Sequence, residues 1–444
     1  MIKSIELLFG RQITEKNIDF NLVDKSLLTK RNPIKVNKNN IQCLRCNQIS
    51  DKHSTKINEV YYCRNCINLG RIVSDEFLYS AREPNSFTEC LSPLTWNGQL
   101  TELQAQCSSQ ICRIFANKEN HLLWAVTGAG KTEMLFKGIA WGIKKKLRIA
   151  VASPRIDVCV ELFPRIQSAF KNIEILLLHG KNELPYAYHQ VTICTTHQLL
   201  KFYHAFDILI IDEVDAFPFV QDAGLKFAAQ NAVKESSSIL YLTATPSDEL
   251  LNDVRNNNLS VSYLPIRYHQ HLLPLIKNHL ILNLSQKLAK NKLNAKIIQL
   301  IKQKITAEQR FLIFVPKIEY LEILNNILSK YFDNTLWASV YSSDTDRLSK
   351  VQLMREHKVL FLITTTILER GVTFPEIDVI VFNADHDNFS TSALVQIAGR
   401  VGRSANRPNG NVDFFINCKT KNIVNAMKQI KYMNKLGSRT LEHE

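Results

Sequence analysis

The 444-residue chain contains no run of eighteen or more apolar residues, which excludes a helical membrane span. Its first twenty residues, MIKSIELLFGRQITEKNIDF, lack the apolar core and cleavage site of a signal peptide. The expected location is therefore the cytosol. Cysteines there stay reduced, so the ten present are not expected to form disulfides. Long low-complexity tracts are also missing. What is present is an ordinary hydrophobic content of 45% and enough length for two or three domains. The net charge is +14. That excess favours a polyanionic partner, either nucleic acid or an anionic membrane surface, but a basic proteome gives the same excess and charge alone decides little.

Residues 1–40 are polar and rich in Asn and Lys, and read as a loosely packed arm or a small strand pair. Residues 41–70 hold four paired cysteines, and 71–95 form a connector carrying Pro84 and Pro93. From about 96 the pattern changes. Short apolar runs alternate with helix-length segments: HLLWAV (121–126), RIAVAS (148–153), EILLLH (174–179), QVTICT (190–195), DILIID (207–212) and SILYLT (238–243). Such alternation predicts βαβ units around a buried parallel sheet. The stretch 247–300 is weaker and rich in Asn and Lys, with RYHQHLLPLIKNHL read as a solvated inter-domain connection rather than a metal site. A second series follows in RFLIFVP (310–316), LWASVYS (336–342), KVLFLIT (358–364), DVIVFN (378–383) and NVDFFIN (411–417). This predicts a second α/β domain, with the two divided as 96–270 and 271–444. A terminal helix is expected over 420–436, ended by Gly437.

AVTGAGKTE (125–133) lies between a strand and a helix. Backbone N–H groups of a glycine-containing loop there can cradle a phosphate chain, which assigns Thr127, Gly128, Ala129 and Gly130 to the nucleotide, with Glu133 just beyond. Lys131 would reach the β and γ phosphates and Thr132 would hold Mg²⁺. Ala125 stands where the usual motif has glycine. DILIIDEVDAF (207–217) places Asp212 and Glu213 at a strand's C-terminal end, where parallel sheets bind ligands. Asp212 suits Mg²⁺, and Glu213 suits the general base that polarises water.

CLRC (43–46) and CRNC (63–66) form a C-x₂-C-x₁₆-C-x₂-C pattern. Each pair offers two thiolates from one turn, and two turns close a tetrahedron around Zn²⁺. Cys43, Cys46, Cys63 and Cys66 are the expected ligands of one structural zinc, with an iron–sulfur cluster as the alternative.

GAGKT, DEVD, TATP (243–246) and QIAGRVGR (396–403) occur in that order. The series resembles superfamily 2 helicases of the DEAD/DEAH-like class, over roughly residues 96–418. The resemblance implies two tandem RecA-like domains with ATP in the cleft between them and nucleic acid across both. It implies that Arg400 and Arg403, three apart on one face of an expected helix, act as arginine fingers, with Gln396 a turn earlier. Thr243 and Thr245 resemble the element that couples nucleotide state to closure. Gln104, with Trp96 or Phe115 nearby, resembles an adenine-recognition segment. Arg155, His179, Gly180, Thr195 and Thr196 fall where the family grips the strand, as do Thr365 and Arg370, while Gly371 falls where it meets the nucleotide. Thr373 departs from an acidic residue common in relatives, so a ribose contact there is not expected.

With the N-terminal cysteines and WNGQLTELQ, SPRIDVCVEL, DEVDAFP, ILERGVTFP and SALVQIAGRVGR, the chain resembles the ComFA family of late-competence DNA-uptake ATPases. That resemblance implies an α/β motor at the inner face of the cytoplasmic membrane, acting on single-stranded DNA with ATP, Mg²⁺ and Zn²⁺. It also implies ComFC, DprA and the membrane DNA channel as partners. A replication-restart DNA helicase, an RNA helicase and a non-catalytic scaffold are the competing readings. The absence of a recognisable wedge hairpin predicts translocation with weak or no unwinding.

Overall fold

Each apolar run picked out beyond residue 96 forms a strand. The computed structural model describes residues 1–180 and 185–442, which separate into two units: Met1–Trp124 with Lys131–Tyr263, and Ala125–Gly130 with Leu264–Glu444. The division at Tyr263 precedes the expected one at 270.

The first unit's sheet comprises β1 (His121–Ala125), β2 (Ile149–Ser153), β3 (Ile175–Leu178), β4 (Val191–Thr195), β5 (Phe206–Asp212), β6 (Val233–Thr243) and β7 (Ser260–Leu264), in the order β3-β4-β2-β5-β6-β1-β7. The pairings β3–β4, β4–β2, β2–β5, β5–β6 and β6–β1 are all parallel. Helices cover both faces, so these strands read as continuous apolar runs rather than alternating ones. Among the helices are α1 (Glu102–Asn117), α2 (Lys131–Lys144) and α3 (Ile156–Ala169). α1 starts at Thr101, whose hydroxyl accepts from Gln104 N while the Gln104 side chain accepts from Thr101 N, a reciprocal capping box.

The second unit's sheet comprises β8 (Ile276–Leu280), β9 (Phe311–Phe314), β10 (Trp337–Val340), β11 (Phe361–Thr364), β12 (Asp378–Phe382) and β13 (Val412–Ile416). Its order is β8-β13-β12-β9-β11-β10, parallel throughout. Both units are RecA-like parallel-sheet domains. The strands not expected, β7 and β8, are edge strands within the polar 247–300 stretch. Each is only partly buried, so neither needed a long apolar run.

Two further features differ from expectation. The helix Lys421–Leu441 runs through Gly437 rather than stopping there. Gly437 is buried, and a Cβ on it would lie 2.7 Å from Leu272 Cδ2 and 3.2 Å from Pro265 O, so its role is close packing and not capping. Residues 1–31 are also not a loose arm. Ile13–Thr14 and Thr29–Arg31 flank Leu78–Ser80 in an antiparallel sheet, over a core of Leu8, Ile18, Val23, Tyr79 and Ala81. The closing strand comes from the segment read as connector.

That connector is anchored by a buried ion pair. Glu83 Oε2 accepts from Arg148 Nη1 at 2.5 Å, and both side chains are almost wholly out of solvent. The cysteine module is continuous with the first unit's core: Ile34, Ile41 and the four cysteines share one apolar cluster with Ala150, Leu176 and Leu199.

Candidate nucleotide and metal sites

The loop after β1 turns on Gly128 and Gly130, both at positive φ (79° and 72°), a conformation that glycine adopts without steric cost. α2 begins at Lys131, and its first backbone N–H groups are the orphan donors of a helix N-terminus. Lys131 Nζ lies 3.4 Å from Asp212 Oδ1 at the end of β5, and Thr132 is buried beside it in sequence. The ammonium and carboxylate thus form an ion pair. Glu133 pairs with Arg165 at 2.6 Å. Residues 125–130 group with the second unit, where Val126 N donates to Leu264 O and Thr127 Oγ1 donates to Gly399 O at 3.3 Å.

Glu213 has φ +54°, an uncommon conformation for a residue with a side chain, and its N–H donates to Asp212 Oδ1 at 2.9 Å. Strain of this kind, of order 1 kcal/mol, concentrates at functional positions. The last residue of DEVD was not singled out from sequence, yet Asp215 ties the motifs together. Its two carboxylate oxygens accept from Thr243 Oγ1 at 2.6 Å and Thr245 Oγ1 at 2.5 Å. The TATP hydroxyls are therefore fastened to the loop that carries Asp212 and Glu213.

In the second unit the helix Thr391–Ala398 carries Gln396 but ends before Arg400 and Arg403. The expectation that both arginines share a helix face is corrected. Gly399 closes the helix and Gly402, at φ +72°, turns the chain. Arg400 is buried, its Nε donating to Glu369 O at 3.0 Å, and Arg403 Nε donates to Gly399 O at 3.0 Å. Arg267, which sequence reading left inside a connector, braces this turn. Its Nη1 donates to Val401 O (2.5 Å) and Gly402 O (2.7 Å), and burial holds its pKa down to about 9. No motif marked it; only the fold brings residue 267 to residue 401. The rest of the YHQHLL segment fits a connector turn, with Tyr268, His269 and Gln270 exposed.

The remaining site residues divide by exposure. Arg155 is clamped by Asp157 (3.1 and 2.8 Å), and His179 and Gly180 follow β3 at the surface. Thr195 and Thr196 are buried, as is Arg370, whose Nη2 donates to Ser392 Oγ at 2.7 Å. Thr365 precedes a short turn at 366–368, and Gly371 has φ +71°. Gln104 is buried in its capping box, and Phe115 belongs to the α1–α2 core against Gly138. Trp96 packs edge-on to Phe136.

The four cysteines converge. Their Sγ atoms all lie within 4.8 Å, with Cys43–Cys66 at 3.9 Å and Cys46–Cys63 at 3.6 Å. A tetrahedral Zn–S₄ centre with bonds of about 2.3 Å has S···S edges of about 3.8 Å, so the buried set could hold zinc. Hydrogen bonds among the sulfurs push the Cys43 and Cys46 thiols up and draw Cys63 and Cys66 down; Arg45 adds to the pull on Cys66, its Nε 3.3 Å from that sulfur. A cation beside a thiolate offsets the negative charge such a centre carries. Among the described residues, this is the one group of three or more metal-capable side chains.

Comparison with known proteins fits this geometry. Residues 3–80 match the model for the Competence protein ComFA N-terminal domain. Competence protein ComFA of Bacillus subtilis is 38% identical over 98% of this chain and 93% of its own length. The chain belongs to the ComFA family. The ComFA protein of Streptococcus pneumoniae is 41% identical over 96% of this chain and 97% of its own. Residues 97–248 match the type III restriction enzyme res subunit model, and 292–405 match the helicase conserved C-terminal domain. These place the ComFA-family chain in the superfamily 2 ATPase and helicase class, a class that uses ATP and binds nucleic acid. S. cerevisiae Dbp5 bound to RNA and ADP BeF3 superposes with TM-score 0.54 at 15% identity, over 76% of this chain and 88% of that one, a likeness of fold. No helix among the described residues is long and apolar enough to cross a membrane.

Proposed function

We propose that this chain is a single-stranded DNA translocase that hydrolyses ATP and so draws DNA across the cytoplasmic membrane during natural transformation. The observation that carries the reading is Lys131 facing Asp212 at 3.4 Å, below a phosphate loop, in a chain of the ComFA family. Lys131 releases Asp212 to take the β and γ phosphates. Asp212 and Thr132 are the residues that would hold Mg²⁺, which would neutralise phosphate charge. Glu213 polarises the attacking water, and its carboxylate is steered by the Asp212–Glu213 turn. Gln396, Arg400 and Arg403 are the polar and cationic partners of the transferring phosphoryl. Through Asp215, Thr243 and Thr245 pass a change at the nucleotide to the strand-gripping residues Arg155, His179, Gly180, Thr195, Thr196, Thr365 and Arg370. Gln104 reads the base once its side chain leaves the cap at Thr101, and Gly371 lets the backbone approach the nucleotide. One zinc held by Cys43, Cys46, Cys63 and Cys66 stabilises the N-terminal module. The proposed work site is the inner membrane face, with ComFC, DprA and the DNA channel as partners.

The test is ATP turnover of the purified protein alone and with single-stranded DNA, duplex DNA or RNA, with Lys131→Ala as control. Single-stranded DNA should stimulate turnover strongly, and the variant should lose about a hundredfold or more. Stimulation by RNA only, or by no nucleic acid, would overturn the uptake reading. Efficient opening of a tailed duplex would overturn the view that it translocates without unwinding.

A further inference from the structure

A cavity of about 520 Å³ lies where the N-terminal module, the cysteine module and the first α/β domain meet. Arg11, Arg45 and Lys201 line it, and its described lining residues include no Asp or Glu. Arg11 is only 9% exposed. Its Nη1 donates to Leu7 O (3.0 Å), its guanidinium stacks on Tyr186 at 3.8 Å, and its Nε has no acceptor. Neither Arg11 nor Lys201 has a carboxylate partner among the described residues. Arg45 is shared with the cysteine site through Cys66 Sγ. Burial, then Arg11 and Arg45, lower the Lys201 pKa, and burial, with Arg148 adding to it, holds Arg11 down to about 10. Arg45 has the Cys66 sulfur beside it, but Arg11 and Lys201 are cations confined together with no carboxylate partner among the described residues, an arrangement that costs free energy unless a ligand supplies the charge.

We propose that this pocket binds a phosphate group, carried by a free nucleotide or by a single-stranded DNA backbone. Arg forks match phosphate oxygens in geometry as well as charge, and the volume is that of a small-ligand site and far exceeds one ion. The pocket is separate from the phosphate loop. Pro185 and Tyr186 line it from the segment before β4 and Lys201 from the turn after it, and no residue of 125–133 is among its lining residues. The assignment does not depend on the motor reading, because Lys131 takes no part in it.

Thermal unfolding of the full chain in inorganic phosphate, against chloride at equal ionic strength, tests it in the wild type, Lys131→Ala and Lys201→Glu. A ligand of the folded state raises the melting temperature. Phosphate should stabilise the wild type and Lys131→Ala alike. Lys201→Glu should lose the response, with apparent phosphate affinity down about tenfold or more. It should also melt higher than wild type in chloride, because the glutamate supplies the missing counter-charge. Its ATP turnover without nucleic acid should be unchanged. Should Lys201→Glu not fold, Lys201→Met must still lose the phosphate response. Added dTMP stabilising the protein assigns a free nucleotide; stabilisation by a dT oligonucleotide but not dTMP assigns the strand. An equal phosphate response in wild type and the Lys201 variants, loss of it in Lys131→Ala alone, or no effect beyond chloride overturns the proposal.

Discussion

His121 shows what one residue contributes. It begins β1 with Nδ1 2.6 Å from Ser260 Oγ and Nε2 2.9 Å from Ser262 Oγ on β7. Burial lowers its pKa to about 4. An unfolded histidine titrates near 6.5. The fold therefore favours the neutral ring, and the stability this contributes is complete above pH 6.5 and lost as pH falls toward 4. The loss reaches about 3 kcal/mol, since each pKa unit corresponds to about 1.4 kcal/mol. Denaturant unfolding between pH 7 and 4 should show this decline in the wild type and a smaller one in His121→Asn; parallel curves would remove His121 as the cause. At this scale the loop of positive-φ glycines between β1 and α2 was legible from sequence because its pattern is contiguous. Asp215 and Arg267 were not, because their partners lie 28 and 30 positions away for Asp215 and more than 130 for Arg267.

At the scale of elements, the connector is held by Glu83 against Arg148. Removing one partner of a buried pair leaves an uncompensated charge, which costs about 3–5 kcal/mol. Glu83→Ala should therefore lower stability by that order in equilibrium unfolding, while Arg82→Ala, one residue away, should cost far less. The cysteine module shares its core with the first domain, so metal loss should be felt there. Elemental analysis should find one zinc per chain, absent in Cys46→Ser, and that variant should melt lower. Iron in place of zinc, or an unchanged melting point, would refute this. Helix ends were the least legible elements. Gly437 reads as a stop signal, yet the helix passes through it because Leu272 and Pro265 leave no room for a side chain. The converse holds at Gly399 and Gly402, which end a helix expected to carry Arg400 and Arg403.

For the whole molecule, the charge of +14 is not spread as a featureless background. Arg11, Arg45 and Lys201 gather at one cavity while Lys131 is paired with Asp212, so the Lys201→Glu test and the Lys131→Ala test probe different sites. Turnover should fail in the second variant and phosphate stabilisation in the first. If both properties fail together in either variant, the two sites are not independent.

The sequence by itself determined the two parallel sheets, the glycine-containing loop ahead of α2 and the four-cysteine cluster. Buried strands between helices must be continuously apolar, and phosphate and zinc chemistry need fixed residue types at short spacing. Only the tertiary structure decided that the N-terminal arm is a packed module closed by Leu78–Ser80, that Arg267 braces the arginine turn, and that Arg11, Arg45 and Lys201 face one cavity. Each of these joins positions far apart in the chain through single polar side chains or short edge strands. Such contacts leave no periodicity behind them, so only the folded chain reveals them.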